Sequence, residues 1–157
     1  MKTKIFSTFI MALFLVTTMH YTSVSQEPVI HKKQIKTATA SDRSPFSQGI
    51  EANGFVFVSG TLGVNAATGK LAGDDVVLQL TQIVANISDV LKEAGCTLND
   101  LVKATVFLTD MKNYAAMNEA YLKLLSAPYP ARTCIEVSAL PREGALIEVE
   151  VIAVKPK

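Results

Sequence analysis

The chain has 157 residues, 49% of them hydrophobic, and its 15 Lys and Arg residues nearly balance 14 Asp and Glu residues at a net charge of +1. This length and composition fit one domain with a substantial core, and the balanced charge argues against recruitment of nucleic acid or an anionic membrane by bulk electrostatics. The two cysteines are too few for a disulfide framework or a four-thiolate zinc site.

Residues 1–25 have the pattern of a signal peptide. Two lysines precede an apolar run over 5–16, and a polar segment that ends with Ser23 and Ser25 offers a cleavage site before Gln26. The apolar run is shorter than the roughly 20 residues that a membrane span needs, which disfavours the alternative of an uncleaved anchor. We expect export to a periplasmic or secreted location and no stable membrane anchor; a cytoplasmic location follows if the leader does not function.

Cleavage changes the chemistry available to the protein. The mature chain, residues 26–157, loses Lys2, Lys4 and His20 but no acid, so 13 basic and 14 acidic residues leave a net charge of −1. His31 is then its single histidine. A histidine-containing catalytic triad and a multi-histidine metal site are therefore excluded within one chain.

Residues 26–157 contain no internal repeat, low-complexity tract or linker, and we interpret them as one domain. Two weak strand patterns come first, separated by a turn-like Ser-Asp-Arg-Ser-Pro segment at 41–45. A stronger strand follows Gly54, and period-two alternation marks two strands near the C-terminus. The predicted strands are 29–37, 47–51, 55–59, 101–109, 131–137 and 147–154.

The first predicted helix has clear signals at both ends. It begins at Asp74 and Asp75, whose carboxylates can cap free amides and oppose the helix dipole, and it ends at Gly95. Between them, apolar residues recur at three- and four-residue spacing from Val77 to Leu91.

The second predicted helix covers 113–125, and two prolines follow its end. Tyr114, Met117 and Tyr121 form its apolar side. Asn118 lies on the same side, one turn from both tyrosines. Its amide is either satisfied by local backbone or reaches a site, and the sequence leaves both alternatives open.

This order of elements suggests an α+β fold in which both helices cover the apolar face of one sheet. In the last two strands, alternation places Arg132, Cys134 and Glu136 on one face and Glu148 and Glu150 on what we expect to be the same face. This half-polar face is expected to meet water or a partner subunit.

Arg132 and Glu148 form the pair with the clearest chemical meaning. The planar fork of an arginine grips a carboxylate through two parallel hydrogen bonds, and a carboxylate on the adjacent predicted strand can polarise a water molecule. Together they suit hydrolysis of a small anionic substrate. The alternative is a cross-strand ion pair, worth under about 1 kcal/mol if exposed.

Cys134 shares the predicted face of Arg132. Covalent catalysis by its thiol is disfavoured, because no histidine is available to activate it. The alternatives are a small buried apolar side chain or one half of a disulfide with Cys96.

Short motifs spread along the chain point to a known family. The C-terminal ones are Pro-Ala-Arg-Thr-Cys-Ile-Glu-Val at 130–137, Leu-Pro at 140–141 and Ile-Glu-Val-Glu-Val-Ile-Ala-Val at 147–154. Others are Ser-Pro-Phe-Ser-Gln-Gly at 44–49, Val-Ser-Gly-Thr at 58–61, Val-Lys-Ala-Thr-Val-Phe-Leu at 102–108 with Asp110, and Met-Asn-Glu-Ala-Tyr at 117–121. In this order they closely resemble the RidA/YjgF family of reactive-intermediate (enamine/imine) deaminases, also called the liver perchloric-acid-soluble protein family. The resemblance covers 29–155, essentially the whole mature chain.

The resemblance implies a chorismate-mutase-like α+β fold, a six-stranded mixed sheet with two helices on one face, and assembly into a homotrimeric barrel with clefts between subunits. It implies hydrolysis of 2-imino or 2-enamino acids, such as 2-iminopropanoate, to 2-oxo acids and ammonia without a metal or organic cofactor. Arg132 matches the residue that binds the substrate carboxylate, and Glu148 matches the acid that positions the attacking water. The matching substrate-binding positions are Phe46, Ser59, Gly60, Asn118, Arg132 and the backbone of Cys134.

Two features depart from the family pattern. Phe46 stands where well-studied deaminases of the family have a tyrosine, which puts the substrate range in doubt, and typical members lack a leader. Both features leave room for an alternative function, a non-catalytic trimeric protein that binds small carboxylates or 2-oxo acids. An endoribonuclease activity, known for some relatives, draws no support from a net charge near −1 or from any catalytic histidine, so no nucleic-acid partner is expected.

Overall fold

One mixed sheet of six strands organises the chain in this computed structural model, which describes residues 31–156. In chain order the strands are β1 (Lys32–Ile35), β2 (Gly49–Ala52), β3 (Phe55–Leu62), β4 (Val64–Asn65), β5 (Lys70–Leu71), β6 (Leu101–Leu108), β7 (Ala131–Glu136) and β8 (Ile147–Val154). β4 and β5 pair with each other as a small hairpin, and the large sheet has the order β1-β2-β3-β8-β6-β7. Its pairs are antiparallel except for β6 with β7. The predicted signal peptide lies outside the described residues.

The first helix, α1 (Val76–Glu93), has the end signals that its sequence predicts. The Asp75 carboxylate caps it by accepting hydrogen bonds from the backbone N–H groups two and three residues further on, at 2.8 and 2.9 Å. Gly95 has a φ of 74°, a left-handed conformation that stops the helix and favours glycine. The buried stripe starts at Val76, whereas Val77 is exposed, so the predicted face is displaced by one residue at its start.

The second helix, α2 (Tyr114–Leu124), packs against α1. Met117 and Tyr121 are buried, as its predicted apolar side requires, together with Ala120; Tyr114 is exposed. Within residues 31–156, neither helix combines the length and apolar character that crossing a bilayer demands.

Both helices cover the same face of the sheet. Val58, Val151 and Ala104 form one row across β3, β8 and β6, and this row belongs to a single buried core with Leu80 and Ile83 of α1. The prediction of an α+β fold with a six-stranded mixed sheet is therefore confirmed.

The neighbours of the last two strands differ from the prediction. β7 does not lie beside β8, because β6 separates them, paired parallel to β7 and antiparallel to β8. The reason is the crossover: β6, α2 and β7 form a strand–helix–strand unit, which places β7 parallel to β6 in the same sheet.

The prediction that Arg132 and Glu148 share a face is wrong. Arg132 on β7 pairs in register with Ala104 on β6. Because Ala104 is buried beneath the helices, the Arg132 side chain projects from the helix-covered face of the sheet. Glu148 on β8 pairs in register with Phe107, and both of these side chains project from the opposite face. Alternation describes the faces within each strand correctly, but the order and register of the strands determine which faces coincide.

Candidate functional site

Arg132 lies at the start of β7 and is held by side chains of α2. Its Nη2 donates a hydrogen bond to Asn118 Oδ1 at 2.5 Å, and its Nη1 lies 3.6 Å from Met117 Sδ. Its Cζ atom lies 4.7 Å from the centre of the Tyr121 ring, within cation–π range. We call Arg132, Asn118, Tyr121 and the neighbouring Cys134 the Arg132 cluster.

Asn118 therefore reaches another side chain, which was one of the two alternatives for its amide. It lies on the turn of α2 between Tyr114 and Tyr121, so all three residues face β7. The guanidinium is also 5.9 Å from the Tyr114 ring. An amide oxygen and two aromatic faces thus hold the arginine without neutralising its charge.

Tyr121 is part of this cluster although the sequence indicated only a core residue. It is 5% exposed, and within the described residues its hydroxyl is a buried group without a hydrogen-bond partner. Burial raises the pKa of the phenol, against the smaller opposite effect of the Arg132 charge. The Arg132 guanidinium therefore packs against the face of a neutral tyrosine ring. The signal that was available is a tyrosine on the core side of the helix that leads directly into the strand of the arginine.

Cys134 has the environment of a packing residue. It is half-buried against the core, and burial raises the pKa of its thiol more than the Arg132 charge lowers it. Cys96 is buried as well, and both cysteines are free. The disulfide alternative is therefore wrong, and the neutral thiol is a poor nucleophile.

A second cluster forms where β3 is interrupted by a register shift between Val58 and Thr61. The shift contains Ser59 and Gly60. Ser59 is tied to the preceding loop, since its Oγ donates to the Ser47 carbonyl at 2.7 Å and its backbone N–H donates to the Gln48 carbonyl at 3.0 Å. A bulge of this kind redirects the chain and is often found next to active sites.

Glu148 lies directly against this bulge. A Cβ atom at Gly60 would overlap the Glu148 carboxylate, so any other residue at position 60 would displace this carboxylate from its place against the bulge. Burial raises the pKa of Glu148, and the neighbouring charge of Glu150 raises it further. We call Ser59, Gly60 and Glu148 the Glu148 cluster. Phe46 lines a cleft with Ser59 and Gly60, and its side chain is 61% exposed.

A buried glutamine determines how β8 begins, and sequence reasoning missed it. Gln79 is fully buried, and its Nε2 donates to the carbonyls of Gly73 and Gly144, both at 2.9 Å. Its Oε1 accepts from the Leu146 N–H at 2.8 Å, two residues before Glu148. Its position inside the apolar stripe of α1 was the available signal, because a buried amide must find partners.

The two clusters do not meet within one chain. Arg132 and Glu148 project from opposite faces of the sheet. The clefts near them are also separate: one of about 350 Å³ is lined by Phe46, Ser59 and Gly60 but not by Glu148, and one of about 400 Å³ is lined by Arg132 and Asn118. Within residues 31–156 the ion pairs do not include Arg132 or Glu148. The predicted alternative of an Arg132–Glu148 ion pair is therefore wrong for a single chain.

No metal site accompanies either cluster in the described part of the chain. Residues 31–156 contain no group of three His, Cys, Asp or Glu side chains that could hold a metal ion. The chemical groups at hand are a guanidinium, a carboxylate with a raised pKa, amide and hydroxyl groups, and exposed backbone at a bulge.

Comparisons with known proteins give a consistent set of similarities. The family model described as endoribonuclease L-PSP matches residues 36–155. A RutC family protein of Pyrococcus abyssi is 42% identical over 111 residues, 71% of this chain and 87% of that protein. A 2-iminobutanoate/2-iminopropanoate deaminase of Capra hircus is 38% identical over 125 residues, 79% of this chain and 90% of that protein. The crystal structure of RidA from a Psychrobacter species is 36% identical and covers 78% of this chain and 98% of its own, with a TM-score of 0.72.

Proposed function

The chain belongs to the endoribonuclease L-PSP family, and on that premise we propose that it hydrolyses 2-imino and 2-enamino acids, such as 2-iminopropanoate, to 2-oxo acids and ammonia. The resemblance to RidA/YjgF proteins is confirmed at the level of the family. The observation that best supports the proposed reaction is the guanidinium of Arg132, held in place by α2 at the wall of an open cleft.

Arg132 binds the substrate carboxylate in this proposal. An arginine has five N–H donors. One of them is used by Asn118, and the thioether of Met117 is only a weak acceptor. Three donors remain even if the contact with Met117 is counted, which is enough for a paired contact with both carboxylate oxygens, and this contact fixes the position of the imine carbon next to the carboxylate.

Glu148 positions the water and takes its proton. Water adds to the C=N carbon while Glu148 accepts one of its protons, and that proton passes to the nitrogen to give a carbinolamine. Glu148 then moves the hydroxyl proton of the carbinolamine to the same nitrogen, the C–N bond breaks, and ammonia leaves behind the C=O group. The balance is R–C(=NH)–COO⁻ + H₂O → R–C(=O)–COO⁻ + NH₃, and an enamine enters as its imine tautomer. A raised pKa makes Glu148 a stronger base than an ordinary carboxylate.

We propose that these two steps take place between copies of the chain, in a homotrimer whose clefts pair the Arg132 cluster of one copy with the Glu148 cluster of the next. The sheet separates the clusters within one chain, so a single copy cannot bring both to one substrate. The open face of the sheet also exposes Phe55, Phe57 and Ile135. An apolar surface of this kind is typical of contacts between subunits.

The second candidate function is binding of small carboxylates without turnover. Phe46 favours it, because this exposed side chain has no hydroxyl to contact substrate or water. The leader adds a further proposal, export to the periplasm or the exterior, where the imine source would be oxidation of amino acids.

An oxidase-coupled assay separates hydrolysis from binding. D-amino-acid oxidase with D-alanine generates 2-iminopropanoate, and semicarbazide captures the imine that has not been hydrolysed. The purified protein is expected to reduce semicarbazone formation in proportion to its concentration. Saturable binding of 2-oxo acids without this effect would instead select the binding function.

The acid side of the pH profile reports on Glu148. Hydrolysis needs the ionised carboxylate, so kcat/KM is expected to fall as the pH drops through the raised pKa of Glu148. Glu150→Gln removes the neighbouring charge and lowers this pKa, so the decline should move to lower pH, while burial still holds the pKa above its ordinary value. Glu93→Gln, at an exposed position near the end of α1, is the matched control and should leave the profile in place. An identical decline in all three proteins would show that another group titrates.

A further inference from the structure

The surface next to Arg132 is apolar. Besides Arg132 and Asn118, its cleft of about 400 Å³ is lined by two aromatic rings, a leucine and a proline: Tyr121, Tyr129, Leu122 and Pro130. One side of the cleft thus presents the positive charge of Arg132, while most of the remaining lining consists of apolar carbon atoms.

Two of these residues expose their carbon atoms. Leu122 is 58% exposed and Tyr129 is 45% exposed. Leu122 follows the buried Tyr121 on α2, so it points out of the core, and Tyr129 lies in the short segment that leads into β7. Exposed apolar side chains gathered around one charged group mark a place where an amphipathic ligand loses contact with water.

The cleft of about 350 Å³ beside Ser59 and Gly60 is more polar. Its lining includes Asp89 and Asn86 as well as Phe46, the most exposed of the large hydrophobic residues described. The apolar character is therefore concentrated in the cleft next to Arg132.

We propose that the preferred substrates are 2-imino acids with large apolar or aromatic side chains, whose carboxylate binds Arg132 and whose side chain packs on Tyr129 and Leu122. This inference rests on the proposed imine hydrolysis and follows the same atom balance. 2-Iminopropanoate offers one methyl group to these residues, whereas the imines of leucine and phenylalanine offer four and seven side-chain carbons. A single methylene in an apolar pocket can discriminate by about 10-fold or more.

The test compares three imines made in situ by D-amino-acid oxidase from D-alanine, D-leucine and D-phenylalanine, with apparent kcat/KM from semicarbazide competition. The wild-type protein is expected to prefer the leucine and phenylalanine imines over the alanine imine by about 10-fold or more. Leu122→Ser and Tyr129→Ser should each reduce that preference several-fold, and Val77→Ser, at an exposed apolar position on α1, should leave it unchanged.

Equal or better hydrolysis of the alanine imine by the wild-type protein would overturn the substrate class while leaving imine hydrolysis standing. A preference that survives both cleft variants would overturn the assignment to Tyr129 and Leu122. Light scattering on the same samples tests whether the two variants change the assembly of the protein. A variant that loses the oligomeric state of the wild type would show that the replaced residue is a subunit contact, and this would also overturn its assignment to substrate binding. No hydrolysis of any imine would overturn the proposed function and this inference together.

Discussion

Replacing Arg132 with alanine is expected to lower kcat/KM for 2-iminopropanoate by about 100-fold or more. Hydrogen bonds to a charged group contribute roughly 1.5–3 kcal/mol each, so the loss of a paired contact costs about 3 kcal/mol, and 1.36 kcal/mol corresponds to tenfold in rate. The loss should be largest in KM, because Arg132 is proposed to hold the substrate in every step. The measurement is the oxidase-coupled assay over a range of imine concentrations.

Two further arginine variants identify the cause of this loss. Arg132→Lys keeps a positive charge but not the planar fork, so it should recover only part of the activity. Arg142→Ala is the matched control, because Arg142 is exposed and its Nη2 donates to the Gly69 carbonyl at 2.6 Å, away from the Arg132 cluster. Equal activity of wild type and Arg132→Ala, with thermal unfolding unchanged, would contradict carboxylate binding by Arg132.

Replacing Glu148 with glutamine is expected to lower kcat by about 100-fold or more, with a smaller effect on KM. General base catalysis by a positioned side chain contributes roughly 10²–10⁴-fold. Glutamine has nearly the same shape, so it still fits against Gly60 and the bulge of β3 but cannot take a proton. Glu93→Gln serves as the surface control. A variant with wild-type kcat would exclude Glu148 as the base.

The fold was largely predictable because its signals are local. The Asp75 cap, the helix stop at Gly95 and the alternation in β7 and β8 each depend on a few neighbouring residues. Strand ends were less accurate: β3 runs to Leu62, past the predicted end at residue 59, because its bulge continues the pairing with β8.

The arrangement of the site could not be predicted in the same way. Alternation shows that Arg132 and Cys134 share a face, but it carries no information on whether that face coincides with the face of Glu148 on another strand. That relation depends on β6 lying between β7 and β8, which is a long-range property of the sheet.

Partners of single side chains were the hardest features to foresee. In the sequence, Gln79 and Tyr121 look like members of the apolar stripes of their helices. Their roles depend on distant segments: Gln79 contacts Gly144, which is 65 residues further along the chain, and Tyr121 contacts Arg132 on β7. The crowding of Gly60 against Glu148 likewise exists only once β3 and β8 are paired.

The central proposal is a site shared between copies, and mixing two inactive variants tests it most directly. Arg132→Ala and Glu148→Gln are co-expressed with different tags, hetero-oligomers that carry both tags are isolated, and deamination of 2-iminopropanoate is measured against each parent variant. In such an oligomer, some clefts pair an intact Arg132 from one copy with an intact Glu148 from another. In a trimer that carries both variants, one of the three clefts is intact, so the isolated hetero-oligomers should show about a third of the wild-type activity, whereas each parent variant stays near zero. Hetero-oligomers as inactive as their parents would contradict the shared site.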